Sequence, residues 1–99
     1  MRIVVSAAAL QQIHEASAWW RRNRLKAPAA IEEELERASA LIAFRPSLGA
    51  RAENVRLPRV RRLHIERIHY DIYYRVAGAP PHIEILAFWG SRRGTPPPI

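Results

Sequence analysis

The densest set of chemically capable side chains in this chain is Arg61, Arg62, His64, Glu66 and Arg67, with Arg92 and Arg93 following near the C-terminus. Guanidinium groups hold phosphate charge, and an imidazole or carboxyl group beside them can move protons. Arg61, Arg62, His64 and Glu66 are therefore the candidate catalytic residues for phosphodiester chemistry. In extended backbone, side chains two residues apart point the same way, which places Arg62, His64 and Glu66 on one side. The same set also suits an acidic peptide, or a solvated strand face whose ion pairs each contribute little.

The other chemistries are thinly represented. No Gly-rich phosphate loop is present, and His14, His64, His69 and His82 show neither H-x-x-x-H nor H-E-x-x-H spacing, so no metal and no cofactor is expected. His14 and His82 read as surface or turn residues. The absence of cysteine excludes disulfides, thiolate zinc sites and a cysteine nucleophile. Tyr73, Tyr74 and Trp89 have the rings to stack on bases, but alternation assigns Tyr74 to the core and leaves Tyr73 on the wet face. Trp19 and Trp20 are adjacent on a helix and cannot both lie on its inner stripe, so one of them, taken as Trp19, is a candidate protein contact.

These side chains need a scaffold, and its elements can be read in order. Arg2 to Val5 is a short β-branched run ended by Ser6, a good helix N-cap. Leu10, Ile13, Ala16, Ser17 and Trp20 fall at helical spacing, predicting an amphipathic helix from Ala7 to about Asn23. Pro28 suits the first turn of a second helix, followed by Glu32, Glu33 and Glu34. Ile31, Leu35, Ala38 and Ile42, widened by Leu41, form its apolar stripe until Arg45-Pro46 stops it. Residues 50–59 have no period and read as an Arg-rich loop with a short edge strand near Val55 to Leu57. Arg61 to Ile65 and Ile68 to Val76 read as strands, the second with Ile68, Tyr70, Ile72, Tyr74 and Val76 inward and His69, Asp71, Tyr73 and Arg75 in water. Ile83 to Trp89 is a last strand, apolar enough to be buried on both faces. The expected fold is α+β: an N-terminal strand and a helical hairpin packed on one face of a mostly antiparallel twisted sheet. One domain spans residues 1–94, and the Pro-rich tail 95–99 is expected to fray.

With 99 residues, 48% of them apolar, the chain can bury one modest core. No apolar run approaches the ~20 residues of a membrane span, and the N-terminal stretch is too short for a signal peptide, so a cytoplasmic location with no membrane partner is expected. The formal charge of +7 predicts attraction to polyanions or to an acidic protein. Residues 1–50 hold seven basic and five acidic groups, residues 51–99 nine and four, so the excess lies with the candidate site.

Three stretches together resemble the RelE/ParE superfamily of type II toxins. They are Arg61 to Ile65, His69-Tyr70-Asp71-Ile72-Tyr73-Tyr74-Arg75-Val76, and Ile83 to Gly94 with its Arg92-Arg93 pair. The Ala-rich break in the hairpin and Phe44-Arg45-Pro46-Ser47-Leu48-Gly49 extend the likeness over nearly the whole chain. The resemblance implies a growth-inhibiting toxin in a complex with an acidic antitoxin. It implies one of two targets: DNA gyrase, as for ParE, or ribosome-bound mRNA cut by a RelE-like endonuclease. Many members end the last strand with Trp-His, whereas here Trp89 precedes Gly90, and Phe88, Trp89 and Gly90 supply no acid for a leaving group. The departure favours the ParE-like, non-nucleolytic branch. Trp19, Tyr73, Trp89, Arg92 and Arg93 are then the candidate contacts to target or antitoxin. A basic nucleic-acid-binding module without toxicity is the third reading.

Overall fold

Ser6 turns the chain from strand to helix through three bonds. Its backbone N–H donates to Ile85 O at 3.0 Å, its hydroxyl accepts from the Ala9 N–H at 3.1 Å and donates to Leu86 O at 3.3 Å. The cap is therefore anchored to the sheet on which the helix lies. The computed structural model describes all 99 residues. Its elements are β1 (Ile3–Val5), α1 (Ala7–Asn23), α2 (Ala30–Phe44), β2 (Ala50–Arg51), β3 (Arg61–Ile65), β4 (Tyr70–Ala77) and β5 (His82–Gly90).

The five strands form one sheet in the order β1-β5-β4-β3-β2, with β1 parallel to β5 and every other pair antiparallel. Both helices cover one face, as the hairpin-on-sheet expectation requires. Ala9, Ile13, Ala16 and Trp20 are the residues that α1 turns inward, whereas Leu10 faces solvent at 46% exposure. Small alanines at the contact let α1 approach β5 closely, and Leu10 falls just outside that line. On α2 the buried residues are Ala30, Ile31, Glu34, Ala38 and Ile42, while Leu41 is 48% exposed. Pro28 sits in the turn before α2 rather than in its first turn. The sheet contributes Ile65, Ile72, Tyr74, Ile83, Ile85 and Phe88 to this core, and the turn between β3 and β4 adds Ile68. Truncating a residue such as Ile72 to Ala costs about 2–5 kcal/mol at a site so closed.

Gln12 shows how the short β1 is accommodated. β1 pairs β5 only from Ile83 to Ile85, and farther along that edge the Phe88 N–H donates to Gln12 Oε1 at 2.8 Å. A helix side chain thus replaces the missing strand partner.

The second face of the sheet departs from the expectation of a wet surface. Val60, Tyr73, Leu86 and Ala87 form a smaller buried cluster, joined by Ala52, Val55, Leu57, Trp89 and Ile99. A register shift at Tyr73/Tyr74 leaves Leu86 without a cross-strand partner, which turns both Leu86 and Ala87 to this side. The segment at Val55 to Leu57 is not the edge strand: that strand is Ala50–Arg51, and 52–60 folds over the sheet as a loop. The tail does not fray either. Thr95 O accepts from Trp89 Nε1–H and Ile99 O accepts from the Arg56 N–H, each at 2.7 Å, while Pro97 is buried.

Gly49 closes the hairpin-to-sheet connection. A Cβ there would meet Arg62 O and the Tyr74 hydroxyl, both at 2.9 Å, so no larger residue fits without displacing one of them. The Tyr74 hydroxyl accepts from the Gly49 N–H at 2.8 Å and donates to Pro46 O at 2.7 Å.

Candidate functional site

Cross-strand pairing carries His64, Asp71 and Trp89 to one row on the face away from the helices. His64 is the register partner of Asp71, and Asp71 of Trp89. The row beside it starts with Arg62, paired with Tyr73. His64 Nδ1 lies 2.7 Å from Asp71 Oδ1 and its Nε2 lies 2.8 Å from Glu66 Oε2. A carboxylate oxygen beside each ring nitrogen favours the form of the ring in which both nitrogens carry a proton. The hydrogen bond to Asp71, then that to Glu66, holds the His64 proton above the ordinary imidazole range. Its hydrogen bond with His64 in turn holds Glu66 below the usual carboxylate range. Asp71 is buried, whereas Glu66 is exposed just past the strand end.

The turn between β3 and β4 is fixed from both sides. Arg67 Nη1 donates to Glu33 at 3.0 Å and to Glu34 at 2.9 Å, and these acceptors hold its guanidinium more firmly protonated, Glu34 foremost. Glu34 is a buried carboxylate that also takes a bond from Arg37 at 2.8 Å, so α2 clamps the turn. Ile68 fills the core beneath it. His69 has φ +56°, in the left-handed region, and its backbone is locked there. Its N–H donates to Ile65 O at 2.9 Å, and its carbonyl accepts from the N–H and the hydroxyl of Ser91, both at 2.9 Å.

Arg92 and Arg93 extend this surface. Arg92 Nη2 is 3.2 Å from His69 Nε2, and the Arg93 guanidinium lies 3.9 Å from the centre of the Trp89 ring. Trp19, 43% exposed, stands across a cleft of about 500 Å³ that Trp20, Arg24, Tyr70 and Arg92 also line. Arg24 lies over both indoles, at 5.0 and 5.6 Å from their centres. A second basic cleft of about 750 Å³, with Arg51, Arg56, Arg59, Arg61 and Arg75 in its wall, opens at the far end of β3 and β4.

The expected catalytic four do not assemble as a set. Arg62, His64 and Glu66 share a surface, but alternation turns Arg61 to the other side, where its Nη1 donates to Gly49 O at 2.7 Å. Tyr73 cannot stack on a base: at 3% exposure it is sealed by the 52–60 loop and the tail. Trp89, Arg92, Arg93 and Trp19 remain at the surface. Asp71 and His69 also face this site, at 2.7 Å from His64 and 3.2 Å from Arg92, and residue type alone assigns neither a role there. The signals were the wet-face parity of Asp71 and the H-x-E-x-x-H spacing of His64, Glu66 and His69 across a turn.

A family model described as the ParE toxin of the type II toxin-antitoxin system parDE matches residues 3–94. The chain belongs to the ParE toxin family. No curated protein matches it. The match runs from β1 through β5 to the turn behind it, so the helical hairpin and five-stranded sheet are the ParE-family fold, and the protein is a type II toxin with a cognate antitoxin as its partner class. Every site residue from Trp19 to Arg93 lies inside the matched span of this ParE-family chain.

Proposed function

We propose that this toxin inhibits growth by binding its target without cutting it, in the manner of a ParE-like inhibitor of DNA gyrase, and that an acidic antitoxin neutralises it in the cytoplasm. The observation that carries the non-nucleolytic reading is the engagement of His64. Each of its ring nitrogens is paired with a carboxylate oxygen, at 2.7 and 2.8 Å, so the ring is engaged in ion pairs in this structure, and Phe88, Trp89 and Gly90 offer no substitute acid. The arginines around it then serve as contacts rather than as parts of a cleavage site. Residues 1–94 form the toxin unit in this reading, with 95–99 appended to it.

The antitoxin side is supported by the opposite layer. β1 is an edge strand with Val4 and Val5 exposed, and Leu10, Leu41 and Phe44 are exposed apolar residues of the helices. An open edge and apolar side chains suit a segment that adds a strand and folds across the hairpin, and the +7 charge suits its acidity.

Induced expression without a partner, followed by supercoiling assays with purified gyrase and primer extension on a translated message, tests the proposal. Arrested growth with inhibited gyrase and an intact message is the expected result. Cleavage within codons, lost in Arg62→Ala and His64→Ala, would replace it with a RelE-like ribosome-dependent mRNA endonuclease. Steep salt-dependent nucleic-acid binding with no effect on growth would leave only a basic binding module.

A further inference from the structure

We propose that His64, Glu66 and His69 form a binding site for a divalent first-row transition ion, with zinc as the reference ion. One donor atom from each residue lies within 4.8 Å of the other two. Two imidazoles and one carboxylate are a donor set for zinc and its neighbours, whereas magnesium and calcium take oxygen alone. Donors around a tetrahedral ion at ~2.0–2.1 Å stand roughly 3.3 Å apart. His64 Nε2 and Glu66 Oε2 at 2.8 Å are already near that spacing. The Glu66 side chain is 82% exposed, so it can rotate to admit an ion without backbone movement.

The surroundings hold these donors in place. The carboxylate of Asp71, 9% exposed, takes Nδ1 of His64 and leaves Nε2 as the ligating atom, the arrangement in which a carboxylate orients a metal-bound imidazole. His69 is kept in its left-handed conformation by Ile65 and by both donors of Ser91. Left-handed backbone at a non-glycine residue is costly, and here it sets the direction of a ligand. The Arg67 clamp on Glu33 and Glu34 fixes the turn between the three donors.

A cation lies beside these donors. The Arg92 guanidinium sits 3.2 Å from His69 Nε2, and Arg92 is an exposed side chain free to swing away. The ion would exchange with that guanidinium and with the His64 proton. Three protein donors leave one tetrahedral position for water or for a donor atom of a bound partner, on the surface shared with Arg62.

Isothermal titration of the untagged full-length chain with zinc chloride tests the site, with magnesium chloride as the comparison. Saturable one-to-one zinc binding is expected, weakened at least tenfold by Glu66→Gln and by His69→Ala and unchanged by His14→Ala, with no saturable magnesium binding. Glu66→Gln decides alone should circular dichroism show that His69→Ala misfolds, since the Glu66 side chain is 82% exposed and reaches only the His64 ring. A chain that binds no zinc, zinc affinity that Glu66→Gln leaves unchanged, or magnesium bound as tightly as zinc overturns the assignment. None of these readouts depends on toxicity or on gyrase.

Discussion

Replacing Arg92 and Arg93 together by alanine separates a functional surface from a structural one. The structural cost can be worked from two contacts. The Arg93 guanidinium stacks 3.9 Å from the Trp89 ring centre at an exposed place, where a cation–π contact contributes about 0.5–1 kcal/mol. Arg92 makes one exposed bond to His69 at 3.2 Å, and exposed polar contacts of this kind contribute about 0–1 kcal/mol. The double variant should therefore lose about 1 kcal/mol, which for a domain of this size lowers the melting temperature by roughly 4–8 °C. Arg92 lines the Trp19 cleft beside His69 and Arg93 stacks on Trp89, so their loss should relieve growth inhibition while the chain still binds its antitoxin through the helical layer. Thermal unfolding by circular dichroism, growth curves at matched protein levels and antitoxin pull-down measure the three effects. Full toxicity in the double variant would remove these residues from the functional surface. A loss above about 3 kcal/mol would show that they support the end of β5 instead.

Removal of Thr95 to Ile99 should lower stability by about 1–2 kcal/mol in urea unfolding, because it strips Ile99 from the buried cluster of Val60, Tyr73, Leu86 and Ala87 and removes two hydrogen bonds; an unchanged midpoint refutes a packed tail. Tyr74→Phe should cost about 1–3 kcal/mol, since the Gly49 N–H and Pro46 carbonyl lose their shared partner; a cost near zero means that water replaces the hydroxyl. Burial pushes the Glu32 carboxyl up, but the Ser17 hydroxyl, its own backbone N–H and Arg21 outweigh it and hold the group below the usual range. A depressed folded value means stability present above the unfolded value and lost as pH falls through the folded one. Glu32→Gln should therefore be less stable than the parent at neutral pH, and the gap should close in acid; a gap constant with pH excludes the ionised carboxylate as its source.

The elements with a period were legible. α1 ends where the capping and spacing of Ser6 to Asn23 place it, and α2, β3 and β5 follow their apolar stripes. Spacing points Leu10 and Leu41 inward because hydrophobicity alone does not tell a contact line of small residues from a line of large ones; Ala9, Ala16 and Ala38 make the contact instead. Alternation puts Tyr73 in water because it reports only that the two faces of β4 differ, whereas the residue is buried. What covers the second face comes from 52–60 and 95–99, two stretches with no period and several prolines, whose side chains find their places only once the sheet exists.

The site was legible in its residue types but not in its membership, and the reason is register. Arg61, Arg62, His64 and Glu66 are close in sequence, yet strand parity sends Arg61 to the Gly49 carbonyl and keeps the other three together. Asp71 joins them because a four-residue turn, Glu66 to His69, sets it opposite His64. That turn is short enough to bring His69 back toward Glu66, and it stays in place because Arg67 reaches α2 while Ser91 holds the far side. Slipping the hairpin by one residue would turn His64 toward the helices and break every contact of the site at once. The buried Glu34 that receives Arg67 is thus a determinant of the surface chemistry on the opposite side of the sheet, although it touches none of the residues that would meet a target.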